Sequence, residues 1–392
     1  MYLTPSEELI LNGEYGYTMQ KAMEILVALG DIYNADRLIP IRSAQIAGVS
    51  YKTIGDAGLE WLSDLNGTVS VPSMLNPAGI DRARWREFGI SEKFAVKQEQ
   101  IISAYEKLGI QTWCTCTPYD IQGDLARSGD HLAWSESSAV SYANSVIGAR
   151  TNREGGPSAL AAAICGRTPD YGLHRFENRQ PNVKVKVEAK LSRISDYGAL
   201  GYVIGKEIKN KIPYFVGIKN ASVDQLKSLG AAMAASGAVA LYHIEGITPE
   251  ADLVEKDGIE EISIEERDIK KVYEDLDCGE DPDIVIFGCP HASIREIMDL
   301  ANLLSNRKLK KPLWICTSRS VKELSDRIGL TEIIERAGGH VVSDTCMVVS
   351  PIEKMGYSTT GVNSGKAANY LPGFCKQKVV FASMEELVER IT

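Results

Sequence analysis

The sequence predicts an α/β fold of several domains, with parallel sheets flanked by helices. Two observations carry this. The chain has 392 residues, 44% of them hydrophobic and 24% charged, a globular composition with enough length for two or three packed cores. Its last third alternates apolar runs of strand length with amphipathic stretches of helical length. Asp283-Ile-Val-Ile-Phe-Gly288 reads as a buried strand, 293–304 as a helix, 312–316 as a strand, 321–328 as a helix and 340–343 as a strand again. This βαβαβ order requires a parallel sheet wrapped by helices. Ligands of such sheets bind beyond the carboxyl ends of the strands, and Cys289, Cys316 and Cys346 fall at or just past those ends.

The earlier elements follow from the same patterns. A helix opens near Ser6, and a second spans 17–32, where Met19, Ala22, Ile25, Leu26 and Leu29 recur at helical spacing and Gly30 supplies a stop. A short strand is predicted over 67–71, an amphipathic helix over 94–108, and a strand over 111–114 that leaves Cys114-Thr-Cys-Thr-Pro-Tyr119 as a loop at its end. Residues 137–147 place Ala139, Val140, Ala143, Val146 and Ile147 on one helical face, and Gly155-Gly-Pro157 opens an Ala-rich helix that closes near Gly166. Strands are predicted over 183–191, 212–216 and 239–243. Three regions result: 1–190, with the polar motifs; 191–280, an intermediate α/β region; and 281–392, with the late βαβαβ unit and a C-terminal anion-binding segment.

Charge and composition exclude several classes. With 43 basic and 52 acidic side chains the formal charge is −9, which opposes nucleic acid and anionic membrane surfaces. The short basic runs at 184–190 and 307–311 are edges of elements rather than a binding stripe. No apolar run reaches the roughly 20 residues a bilayer demands, and the N-terminus has no basic stretch leading into an apolar core. A soluble cytoplasmic protein with eight reduced cysteines is the expectation.

The motifs exclude further possibilities. Gly361-Val-Asn-Ser-Gly365-Lys366 is one residue short of a phosphate loop and has Ala367 where a hydroxyl is needed; Gly198, Gly201 and Gly205 have the wrong spacing for dinucleotide binding. No HExxH or paired CxxC suggests zinc. Among the cysteines, Cys165 lies inside the Ala-rich helix and Cys278 in an acidic loop that disfavours a thiolate. Cys114 or Cys116, Cys289, Cys316, Cys346 and Cys375 remain near glycines, prolines and strand ends, though any one alone reads as core. Three thiolates holding a cluster leave one iron free to act as a Lewis acid. A second constellation is polar. His131, Ser135, Glu136, Ser137 and Ser138 lead into a helix, and Asn144, Arg150, Asn152 and Arg153 follow it; a hydroxyl-rich helix start and paired arginines suit an anion, or else simply cap and face solvent. His174 and His291 are ambiguous between catalysis and structural hydrogen bonding.

Taken together, Cys114-Thr-Cys-Thr-Pro-Tyr119, Trp134-Ser-Glu-Ser-Ser138, Asn144-Ser-Val-Ile-Gly-Ala-Arg-Thr-Asn-Arg-Glu-Gly-Gly156, Gly166-Arg-Thr-Pro-Asp-Tyr-Gly-Leu-His174, Gly288-Cys-Pro-His291 and Asn363-Ser-Gly-Lys366 resemble the aconitase X family. The resemblance spans nearly the whole chain, and the stretch 134–174 is its most specific part. It implies an aconitase-like multidomain fold and a hydro-lyase that dehydrates small hydroxy acids with an iron–sulfur cluster on three cysteines. That cluster would be 4Fe-4S, or 3Fe-4S if the open iron is lost. Cys116, Cys289 and Cys346 are the implied ligands, with Cys114, Cys316 and Cys375 in reserve. Arg150, Arg153 and Lys366 are implied to bind carboxylate and phosphate with Asn144, Asn363 and Ser364, and His131, Glu136, Ser137 and Ser138 to shape the pocket. The resemblance also implies a small swivel-domain subunit that supplies the base, a serine. Its archaeal branch dehydrates (R)-5-phosphomevalonate to trans-anhydromevalonate 5-phosphate; another branch acts on cis-3-hydroxy-L-proline. A cluster-binding regulatory protein without activity is the alternative from another class.

Overall fold

The structure is a computed structural model and describes residues 1–121 and 124–392. Its described residues form three parallel sheets and one short antiparallel ribbon. In the first sheet the strand order is Gln111–Cys114, Ser73–Leu75, Ala44–Ile46, Ala133–Trp134, every pair parallel. The middle sheet runs Glu260–Ile264, Val183–Val187, Pro213–Val216, His243–Ile244, again all parallel. The third has the order His340–Ser343, Leu313–Thr317, Ile284–Ala292, Thr359–Val362, Lys378–Phe381. The expected βαβαβ unit supplies three of this sheet's five strands. Val183–Val187, which a division at residue 190 leaves with the N-terminal region, pairs instead within the middle sheet. No helix among the described residues is long and apolar enough to cross a membrane.

Local differences from the expectations have physical causes. The helix Tyr17–Ile32 does not stop at Gly30; a Cβ there would lie 2.4 Å from the Met1 sulfur, so the glycine admits the N-terminal side chain. Residues 67–71 are not a strand. The backbone N–H groups of Val69 and Ser70 bond Leu108 and Ala163 carbonyls in loops, and the strand begins only after Pro72, at Ser73. Residues 137–147 form an α-helix, Ser137–Tyr142, that widens into a π turn, Ala143–Ile147. Gly201 serves helix packing: a Cβ there would meet the Leu229 carbonyl at 2.4 Å, so Ile194–Ile208 and Val223–Gly237 pack with their backbones nearly touching. In the third sheet, Ile284–Ala292 is buried along its whole length, as a strand covered on both faces must be.

Candidate active site

The carboxyl ends of the first and third sheets face each other across a cavity of about 390 Å³. From the first sheet come the residues just past each strand: Gly48 to Ser50 after Ala44–Ile46, Asn76 after Ser73–Leu75, Cys116 after Gln111–Cys114, and Glu136 with Ser137 after Ala133–Trp134. The third sheet contributes Cys289, Cys346 and Lys366. The two sheets are sutured beside the cavity. Ser50 Oγ donates to the Val349 carbonyl at 2.9 Å, and the Ala78 N–H to the Asp344 carbonyl at 2.8 Å.

Cys289 reaches the cavity through a bulge in its strand, whose register with Leu313–Thr317 shifts between Phe287 and Ala292. The bulge needs Gly288. Its φ is +86°, and any Cβ would fall 2.0 Å from the Cys316 carbonyl oxygen. Cys116 follows the end of Gln111–Cys114, and its sulfur accepts the His291 N–H at 3.1 Å. Cys346 lies past His340–Ser343, in a turn where its carbonyl accepts the Val349 N–H at 3.3 Å and the Ser350 N–H at 3.0 Å. Burial pushes all three thiols above the ordinary range, Cys289 to about 12, and the Lys366 charge pulls each back down.

Lys366 is buried in the first turn of the helix Gly365–Cys375, where the helix dipole opposes a cation. Glu136 compensates. Its Oε1 accepts from the Lys366 ammonium, which also donates to Ser138 Oγ at 3.1 Å, while Asn76 Nδ2 donates to Glu136 Oε2 at 2.7 Å. Burial alone would raise the Glu136 carboxyl; the charge and hydrogen bond of Lys366 hold it at about 2. The same partner keeps Lys366 protonated well above an ordinary lysine despite burial. Ser137 and Ser138 hydroxyls donate to Glu136 Oε1 at 3.2 and 3.4 Å, completing the carboxylate's shell.

Other sequence candidates fall elsewhere. His131 precedes the strand Ala133–Trp134 and Glu136 follows it, so the two lie at opposite ends of the first sheet. Arg150 runs parallel beside His131, its N–H donating to the Asp130 carbonyl at 2.8 Å and its guanidinium to the His174 carbonyl at 3.4 Å. Neither lines the cavity, whereas Arg153, three residues further along the same course, reaches its rim. Asn144 is structural: its carboxamide bonds the Thr151 and Ala240 carbonyls, the Thr151 N–H and Arg179. Asn363 lines a different cavity. Ser364 caps the Lys366 helix, accepting from the Ala367 N–H at 3.1 Å, and donates to the Cys289 carbonyl. Of the reserve thiols, Cys114 sits in the first domain's core, Cys316 is fully buried outside the cavity lining, and Cys375 hydrogen-bonds the Met347 and Val348 carbonyls at 3.4 Å. Sequence reasoning missed Asn76, Ser50, Tyr370 and Phe374; Asn76 follows a strand of three residues, too short to show a period.

Three thiols from three segments lining one cavity, with a backbone N–H on the Cys116 sulfur, are a donor set that fits an iron–sulfur cluster. No three His, Cys, Asp or Glu side chains among the described residues converge on a single ion position; ligands that each take a different iron stand further apart than ligands of one ion. Sheets meeting at their carboxyl ends, around thiols and a lysine–carboxylate pair, define an α/β enzyme site. The sequence matches the aconitase X first domain over residues 1–177, the second over 181–274 and the third over 282–392. It is 56% identical to the phosphomevalonate dehydratase large subunit of Methanocaldococcus jannaschii, over 99% of this chain and 100% of that protein. The protein of the same name from Methanosarcina mazei is 57% identical, over 100% and 97%. The cis-3-hydroxy-L-proline dehydratase of Pseudomonas aeruginosa is 35% identical, over 98% of this chain and 68% of that protein. The crystal structure of Thermococcus kodakaraensis aconitase X in its holo-form superposes with a TM-score of 0.94 at 52% identity, over 100% of both chains. The chain belongs to the aconitase X family and is a hydro-lyase.

Proposed function

We propose that this chain is the large subunit of a two-subunit cytoplasmic dehydratase that converts (R)-5-phosphomevalonate to trans-anhydromevalonate 5-phosphate. The observation that carries the reading is one cavity lined both by three thiols and by Arg153, a cation without a carboxylate partner among the described residues. Cys116, Cys289 and Cys346 would hold a 4Fe-4S cluster, or its 3Fe-4S form once the open iron is gone. When bound, it supplies a Lewis acid for the substrate's carboxylate and leaving hydroxyl.

The chain's own residues grip the substrate by its charges. Arg153 is exposed at the rim and makes one hydrogen bond, 3.5 Å to the Ala234 carbonyl, and no ion pair among the described residues. Its guanidinium is free to fork a phosphate. Lys366 carries a charge already balanced by Glu136, so it orients a carboxylate near the thiols without adding net charge. Glu136 is the one carboxylate lining the cavity among the described residues, and at about 2 it is too weak a base to abstract a carbon-bound proton. The family resemblance, which implies a serine base on the small swivel-domain subunit, agrees with this.

The test is anaerobic turnover by the reconstituted pair with each candidate substrate. Phosphomevalonate should be dehydrated, and Arg153→Gln should raise its KM about 10- to 100-fold, the loss of one charge-assisted contact, with kcat changed far less. Turnover of cis-3-hydroxy-L-proline with phosphomevalonate untouched would overturn the substrate assignment.

A further inference from the structure

His291 touches every cysteine-bearing segment of the cavity. Its N–H donates to the Cys116 sulfur at 3.1 Å, 175 residues away in sequence. Its ring spans the other two directions. Nε2 donates to the Thr345 carbonyl at 2.9 Å, next to Cys346, and Nδ1 accepts from the Thr115 hydroxyl at 2.9 Å, next to Cys116. The Thr345 carbonyl can only accept, which places the ring proton on Nε2 and leaves Nδ1 as the acceptor. Its own segment carries Cys289, two residues before it, and its carbonyl accepts from the Lys227 ammonium at 3.1 Å. Lys227 is anchored in turn by Glu296 at 2.5 Å and Asp224 at 3.0 Å. The side chain is fully buried and does not line the cavity.

From this geometry we infer that His291 is a positioning residue: its rigid ring sets the separation of the Cys116, Cys289 and Cys346 segments, and so the frame in which a cluster is held. The inference rests on the proposed function above. The physical reason is that the two ring nitrogens stand at a fixed spacing, and only two side-chain torsions must be ordered to hold two distant loops against each other. The Thr115 hydroxyl, already accepting the Thr117 N–H at 3.1 Å, is itself oriented to donate to the ring. Residues that orient metal-binding groups without touching the metal shift metal affinity about 10- to 100-fold when replaced.

The experiment compares anaerobically purified wild-type chain, His291→Leu, His291→Gln and Thr115→Val for iron release to a chelator, for the EPR spectrum of the dithionite-reduced cluster, and for apoprotein thermal unfolding. All variants keep the backbone N–H to Cys116. His291→Leu should release iron about 10- to 100-fold faster than wild type. His291→Gln, which retains a donor towards Thr345, and Thr115→Val, which removes one arm, should be intermediate, each with an altered EPR line shape. Should His291→Leu fail to fold, His291→Gln and Thr115→Val decide the matter. Wild-type release rates and spectra in those two variants overturn the inference, as does a lowered unfolding midpoint with an unchanged spectrum. A wild-type chain without iron and acid-labile sulfide overturns the cluster assignment and this inference with it; a loaded wild type beside indifferent variants overturns this inference alone.

Discussion

Lys366→Met tests the electrostatic core of the cavity. The side chains of Lys366 and Glu136 are 7% and 14% exposed, so neither charge has bulk water in place of its partner. Glu136 is held at about 2 against an ordinary 4.5, a gap worth about 3 kcal/mol. Because the folded value is depressed, this stability is present above about pH 4.5 and lost as pH falls through about 2. Without Lys366 the sign reverses. Burial, the largest influence on this carboxyl, then lifts it above 4.5, and the folded state prefers the protonated form. The variant should lose about 3–5 kcal/mol at pH 7.5, the cost of stranding one member of a buried pair. Its deficit should shrink at pH 5, and adding Glu136→Gln should restore most of the loss. Urea unfolding of the three apoproteins at both pH values measures this. A single variant within about 1 kcal/mol of wild type, an equal deficit at both pH values, or a double variant as unstable as the single would refute the reasoning.

Two further outcomes follow from the geometry. Serine at position 116, 289 or 346 should each abolish iron content and visible absorbance in anaerobically purified protein. Serine at 375 should leave both intact, because that thiol hydrogen-bonds backbone carbonyls rather than facing the cavity; iron loss there and retention at the other three sites would reassign the ligands. At the far end of the first sheet, burial and the neighbouring His131, whose Nδ1 lies 3.0 Å from its own, hold His174 down to about 3. The unfolded chain takes up this proton below about pH 6.5 and the folded chain does not. Wild-type stability should therefore fall by about 2 kcal/mol through His174 between pH 7 and pH 5. His174→Asn should lose that part of the dependence, and an equal decline in both proteins would contradict the assignment.

What was legible in the sequence follows from where its signals are local. The third sheet announced itself because its strands are buried on both faces and its helices on one, so the burial pattern is written into consecutive residues. The first sheet was largely invisible, since Ala44–Ile46, Ser73–Leu75 and Ala133–Trp134 have two or three residues each and no period can be read from so few. For the site, the motifs contained the right kinds of residue but could not say which end of a strand each would occupy. Arg150 and Arg153 share one motif, yet one lies beside His131 at the amino end of its neighbouring strand and the other reaches the cavity beyond the carboxyl end. The sequence by itself determined the α/β class, the late parallel sheet and the family resemblance, because periodicity and motif identity are properties of neighbouring residues. Only the tertiary structure decided that Cys116, Cys289 and Cys346 line one cavity, that Lys366 balances Glu136, and that His291 touches all three cysteine segments. Those relations are set by how two sheets dock at their carboxyl ends, through bonds such as Ser50 to Val349 that join residues 299 positions apart.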